Sequence, residues 1–169
     1  MGLITDEIRE IVGRPFERRR SFPIDANSIR WWAVAVYHPL PPPRRYWDPD
    51  TPGGLEAPSE FNPFAWKSLE EVNILPDGTE VERSIVLGPI ESRLGITPPP
   101  FKTTMNGGLN VRYGEPMRVG DVIDSSTAIG SYTEREGKSG SMLFTVVETR
   151  WLNQKADLVK VSQMTVIRR

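Results

Sequence analysis

The chain has 169 residues and a mass of 19.1 kDa, room for one domain with a sizeable core, and its 38% apolar and 25% charged residues mark it as globular. Its 21 basic and 22 acidic side chains leave a net charge of −1, so no basic excess draws it to nucleic acid or an anionic membrane. With no cysteine there are no disulfides, thiolate nucleophiles or iron–sulfur ligands, and a single histidine, His38, cannot build an imidazole-rich metal site in one chain.

The first helix is predicted from about Thr5, with Asp6 and Glu7 in its first turn and Ile4, Ile8, Ile11 and Val12 on one stripe. Gly13 and Pro15 end it. The run Arg14 with Arg18, Arg19 and Arg20 is the one local basic patch, and reads as a solvated face or a contact for coenzyme phosphates. A second helix starts at Asp25, with Ile29, Trp32, Ala33 and Val36 at helical spacing. Pro39 disfavours helix at His38, so the histidine sits at that helix's C-terminal end, where it is expected to meet the last carbonyls. Trp31 and Trp32 at the helix centre are expected in core or interface.

Eight of the 16 prolines then fall between Pro39 and Pro63. Such a stretch cannot join a central sheet, yet Tyr46, Trp47, Phe61, Phe64 and Trp66 argue for an ordered loop laid over the body. It should feed a short helix near Ser59 to Leu69. From Glu71 the pattern turns to β. Strands are predicted at Ser84 to Leu87, Gly108 to Pro116, Val122 to Thr133, Met142 to Leu152 and Leu158 to Arg168, separated by short turns such as Val119-Gly120-Asp121. Helices followed by an antiparallel meander make the fold class α+β, one domain over residues 1–169.

Phosphate-loop and dinucleotide glycine motifs are absent, because Asn106-Gly107-Gly108 precedes a strand rather than a helix. Serine catalysis lacks a nucleophile elbow. The acidic pairs Glu70-Glu71 and Asp48 with Asp50 read as solvated charge. No run reaches the roughly 18 apolar residues of a membrane span. The residues Met1 to Glu7 lack the regions of a secretory signal, and Asp6 breaks the myristoylation pattern. The expected compartment is therefore the cytoplasm, with no nucleic acid and no membrane as partners.

The C-terminal half carries a recognisable series: Asn106-Gly107-Gly108, Tyr113, Pro116, Val119-Gly120-Asp121-Val122-Ile123, Lys138-Ser139-Gly140, Glu148-Thr149, Trp151 and Asn153-Gln154. With Ile29 to Val36, Tyr46-Trp47-Asp48 and Gly53-Gly54-Leu55-Glu56-Ala57-Pro58, it resembles the N-terminal MaoC-like dehydratase family, also called the FAS1-like dehydratase domain. The resemblance covers most of the chain. It implies a hot-dog fold, a central helix wrapped by an antiparallel β-sheet, and acyl-CoA or acyl carrier protein thioesters as substrates. The implied reaction is reversible addition of water to an enoyl double bond, with no metal or redox cofactor. Coenzyme A or the carrier protein serves only as the substrate's carrier.

Active members of the superfamily use an Asp and a His five residues apart after the first helix, a carboxylate and an imidazole that together activate water. Here the His position falls on Tyr46 and the Asp position on Pro41, and Asp48 matches a structural acidic residue. Three readings of this departure stand open. The chain is the half of an enoyl-thioester hydratase or 3-hydroxyacyl-thioester dehydratase that lacks the dyad and contributes the acyl pocket. Or it is a lyase by itself, with His38 or Tyr46 moving the proton. Or it is a non-catalytic hot-dog protein that binds acyl thioesters or another small ligand. The first is the expectation carried forward. It calls for a second hot-dog subunit, in a MaoC-like heteromer or a homodimer, and an apolar acyl channel between helix and sheet. Candidate site residues are His38 and Tyr46 for catalysis and Trp47, Asn106, Gly107 and Gly108 for substrate. For Gly107-Gly108 the choice lies between a turn needing positive φ and close backbone approach to pantetheine. For Tyr46 and Trp47 it lies between loop anchor and pocket wall.

Overall fold

The computed structural model describes residues 2–65, 89–137 and 140–169. Helix α1 (Asp6–Glu10) is capped by Thr5, whose hydroxyl accepts from the Ile8 amide at 3.4 Å, and it buries Ile8. The arginine run that follows is not a free patch but strand β1 (Pro15–Arg20). Its alternation is the reason: Phe16 is buried, Glu17 and Arg19 are half-buried, and Arg18 and Arg20 face out. Charge on an edge strand also discourages unwanted pairing.

Helix α2 (Ala26–Tyr37) starts where the sequence predicts. The Asp25 carboxylate accepts from the amides of Asn27 and Ser28, both at 2.9 Å, and the Ser28 hydroxyl and these amides hold its carboxyl below the usual range. Ile29 and Ala33 are fully buried and Trp32 packs edge-on to Phe61, with ring centroids 5.8 Å apart. Trp31 points the other way and is 78% exposed, so only one of the two tryptophans joins the core.

The proline-rich loop is ordered, as expected. A 3-10 turn at Arg44–Tyr46 interrupts it, and Tyr46, Asp48, Leu55, Ala57, Phe61 and Phe64 are buried beneath it. Asp48 is a latch within the loop. It accepts from Arg44 Nε at 2.9 Å and from the Asp50 amide at 3.0 Å, and the Arg44 guanidinium holds its carboxyl below the usual range. Residues 59–65 form turns rather than the predicted helix. The rest of that helix, Trp66, Glu70-Glu71, the Ser84 to Leu87 strand and Lys138-Ser139 lie outside the described residues.

After the short helix α3 (Ile90–Arg93) come β2 (Thr104–Tyr113), β3 (Asp124–Gly137), β4 (Gly140–Leu152) and β5 (Leu158–Arg168). They form one antiparallel sheet in the order β1-β3-β4-β5-β2. The meander prediction holds for β3 to β5 only. Strand β2 crosses the sheet to pair with β5, which leaves β1 and β2 as its two edges among the described residues.

Two apolar clusters anchor the sheet. One joins Ile24 and Ile29 to Leu55, Phe61, Phe64, Met117 and Ile123, and the other joins Ile11 and Phe16 to Ile129 and Val147. Beside the second lies a buried polar network. Arg168 donates to Glu91 through a two-pronged fork (Nη1 to Oε2 at 2.8 Å, Nη2 to Oε1 at 2.6 Å) and to Thr145 Oγ1 at 2.7 Å. The Tyr132 hydroxyl donates to Glu91 Oε1 at 2.8 Å, and the Arg168 guanidinium lies 4.4 Å from the Phe101 ring centroid. Burial pushes the Glu91 carboxyl up, but the Arg168 hydrogen bonds and charge outweigh it, so it titrates below the usual range. Burial and the bond to Glu91 push the Tyr132 phenol up.

Removing one member of this pair strands the other charge. Glu91→Gln should lower stability in urea unfolding by about 3–5 kcal/mol at pH 7. A depressed folded-state pKa adds stability that is present above the unfolded carboxyl's range and is lost as pH falls through the folded value. The wild type should therefore weaken below about pH 4, a decline that Glu91→Gln shows only in reduced form.

Candidate functional site

Two consecutive rungs of the sheet carry polar side chains on the face toward α2. The first runs Glu17, Thr127, Thr149, Ser162 and Val111 across all five strands, and the second runs Arg19, Ser125, Trp151, Lys160 and Tyr113. The alternating burial of β3 places Ser125 and Thr127 inward in line with Ile129 of the core. These rungs form the floor of an open hollow of about 610 Å³, bordered by Trp32 of α2 and by Glu60, Asn62 and Phe64 of the loop. An apolar channel was expected between helix and sheet. The aromatic rings supply one side of it, but its floor is hydroxyl and charge. Thr127 Oγ1 and Thr149 Oγ1 lie 3.0 Å apart and share a hydrogen bond.

Lys160 stands at one end of the hollow, only 8% exposed. Its ammonium donates to Glu60 Oε2 at 2.8 Å and sits 4.6 Å from the Trp151 ring centroid and 5.9 Å from that of Tyr113. The Tyr113 hydroxyl donates to the other oxygen of Glu60. Burial raises the Glu60 carboxyl, yet the bonds from Lys160 and Tyr113 hold it below the usual range. Donating that hydrogen bond to the Glu60 carboxylate, with burial, in turn pushes the Tyr113 phenol up. Beyond this trio is a second hollow of about 230 Å³, lined by Tyr113, Arg45, Tyr46 and Glu56 among others.

The sequence candidates fall in three separate places. Tyr46 is buried in the wall of the smaller hollow. Its hydroxyl accepts from Arg45 Nη2 at 2.8 Å, that guanidinium lies 4.6 Å from its ring centroid, and the Tyr37 ring is 5.8 Å away. It is thus both loop anchor and pocket wall. His38 caps α2, exposed, and it is its backbone amide that reaches the last turn, donating to the Val34 carbonyl at 3.0 Å. Trp47 is a loop anchor: its indole donates to the Pro42 carbonyl at 3.1 Å and its own carbonyl accepts from Arg30 Nε at 3.0 Å.

Asn106, Gly107 and Gly108 lie inside β2, not in a turn before it. The register against β5 slips between Asn106 and Gly108, so Gly107 is the extra residue of a β-bulge, and Gly108 has φ +128°. The Asn106 side chain accepts from the Gly108 amide at 2.9 Å and holds the bulge. None of the three lines either hollow. Sequence reading passed over Thr127, Thr149, Ser162, Lys160 and Glu60. The usable signal was parity: Ser125, Thr127 and Ile129 share a face, so hydroxyls occupy positions where a core strand carries apolar side chains.

The family described as the FAS1-like dehydratase domain region matches residues 10–161. No curated protein matches the sequence. Among solved structures, the ChsH1-ChsH2 complex from Mycobacterium tuberculosis aligns with a TM-score of 0.64 at 16% identity, over 96% of this chain and 89% of the other. A MaoC-like dehydratase from Rhodospirillum rubrum aligns at 0.52 and 19% identity, over 92% and 93%. The C-terminally truncated HadBC complex of M. tuberculosis, a 3R-hydroxyacyl-ACP dehydratase, aligns at 0.51 and 15% identity, over 93% and 98%. At these identities the likeness establishes the hot-dog fold.

The bulge explains Gly107 by packing alone. A Cβ there would lie 2.9 Å from Ile167 Cγ1 and 3.0 Å from Thr165 Cγ2. Gly107→Ala should therefore cost about 1–3 kcal/mol in thermal or urea unfolding without any ligand present. A glycine kept for ligand approach would show no such loss.

Proposed function

This chain belongs to the FAS1-like dehydratase domain family, and from that premise we propose that it is the dyad-free half of an enoyl-thioester hydratase or 3-hydroxyacyl-thioester dehydratase. The carrying observation is the loop after α2. The hot-dog frame is intact there, but Pro41 has no carboxylate, the Tyr46 hydroxyl is taken up by Arg45, and His38 is exposed at the helix end. Hydration needs a base to take a proton from water as its oxygen bonds to the β-carbon, and an acid to deliver a proton to the α-carbon. Neither position of this loop offers such a pair, because Pro41 has no ionisable side chain and the Tyr46 hydroxyl already accepts from Arg45.

A second hot-dog subunit carrying Asp and His would supply both groups, and this chain would supply the walls that hold the acyl thioester. Strand β2 is suited to such pairing. It is a 10-residue strand whose outer backbone groups have no strand partner among the described residues, and it exposes Met105, Leu109 and Tyr113. Two structural neighbours, ChsH1-ChsH2 and HadBC, are complexes, which supports the same assembly. Coenzyme A or acyl carrier protein would be the thioester's carrier.

Hydration of a short enoyl-CoA panel by the purified chain, alone and with MaoC-like partners, tests the proposal. The chain alone should be silent, and mixing should raise the rate by about 10²–10⁴-fold, the usual worth of a placed acid–base pair. In the mixed enzyme His38→Ala should leave kcat unchanged. Turnover by the lone chain that His38→Ala abolishes would establish an independent enzyme instead. Binding of thioesters without turnover in any mixture would establish a ligand-binding protein.

A further inference from the structure

We infer that the acyl tail of the thioester runs along β5, out of the larger hollow and into an apolar one lined by Pro98, Pro99 and Pro100. The substrate class is then a long apolar acyl group rather than a short one. The inference rests on the thioester reading above and adds the course and length of the tail. Further along the same face of the sheet lies an open hollow of about 580 Å³, lined by Ile90, Phe101, Val166 and the three prolines among others. Arg168 and Thr145 also reach it, but both are already partnered in the Glu91 network. What this hollow offers a ligand is therefore mostly apolar contact.

Strand β5 joins the two hollows. Ser162 lines the larger one and Val166 the proline-lined one, and Met164 between them shares their face by parity. Its cross-strand partner is Leu109 of β2, which also lines the larger hollow. On the β3–β4 half of this rung, Ile129 and Val147 are buried with Ile11 and Phe16, and Ile90 packs against them. On the β5–β2 half, Met164 stays 40% and Leu109 66% exposed. Two large apolar side chains left uncovered between two hollows form a strip that a bound alkyl chain would cover, with a gain for each methylene it buries. Polarity falls along this line, from hydroxyls and charge around Ser162 and Lys160 to prolines and Phe101, as it does from the thioester to the tail of an acyl chain. From Ser162 to Val166 the strand advances about 14 Å, the reach of an extended chain of about ten carbons. A short acyl group would leave the strip and the far hollow empty.

Butanoyl-, octanoyl- and dodecanoyl-CoA, titrated calorimetrically against the purified chain, give the test. Each step in length should tighten binding at least about tenfold, since one fully buried methylene is worth about threefold to fourfold. Met164→Glu puts a charge on the strip at a half-exposed position that the fold tolerates. It should remove most of the gain from butanoyl to octanoyl while leaving butanoyl affinity in place. Val166→Trp, which fills the mouth of the proline-lined hollow, should remove the gain from octanoyl to dodecanoyl alone. Affinity that does not rise with length overturns the inference and spares the thioester reading. A rise that Met164→Glu leaves intact places the tail elsewhere and overturns it likewise. Equal weakening of all three thioesters by Met164→Glu would put the thioester end on the strip and also overturn it. Failure of every thioester to bind overturns both readings.

Discussion

The antiparallel ladder β1-β3-β4-β5-β2 is the constraint on which the other features depend. It is long and continuous, and its register slips at four places: Pro15/Glu17, Asn106/Gly108, Ile129/Ser131 and Trp151/Leu152. Each slip adds local twist and bend to a strand. Against this sheet α2 buries Ile29, which packs in one cluster with Ile123 and Val159, and Ala33. The same register lines up side chains from strands far apart in sequence. Glu17, Thr127, Thr149, Ser162 and Val111 become neighbours through backbone pairing alone.

That register sets polar side chains where a stability argument alone would place apolar ones. The polar rungs lie between the rung of Ile129 and Val147 on one side and the cluster containing Ile123 on the other. Apolar burial on both sides offsets the cost of hydroxyls inside the fold, and the Thr127–Thr149 hydrogen bond offsets part of the rest. The Glu91–Arg168 fork is a different case. It is closed by Tyr132 and Thr145 and joins α3 to the end of β5, so its role is to hold that end of the sheet.

The loop after α2 is held by contacts of its own. Its position depends on Tyr46, Leu55, Ala57 and Phe61 as anchors and on the Asp48 latch, and none of these needs the acid–base pair of the active relatives. Pro41 and Tyr46, where the resemblance places Asp and His, are therefore compatible with an ordered loop. The aromatic ring at Tyr46 even adds to the core that positions the loop.

Much of the frame was legible in the chain itself. Asp25 ahead of an apolar helical stripe, the turn at Gly120-Asp121, the last two strands and the residues of the family resemblance are local patterns, and local geometry determines them. Pro41 and Tyr46, at the positions where the family resemblance expects Asp and His, are also read from the order of residues. What tertiary structure decided was pairing. The arginine run became a strand because Glu17 to Arg20 found partners in β3, and Asn106-Gly107-Gly108 became a bulge because β2 pairs with β5 rather than with β3. The hydroxyl floor and the Lys160–Glu60–Tyr113 trio depend on the same pairings, with residues up to 100 positions apart in contact. A chain's local pattern sets which face a side chain takes, but only the register across strands sets what it faces.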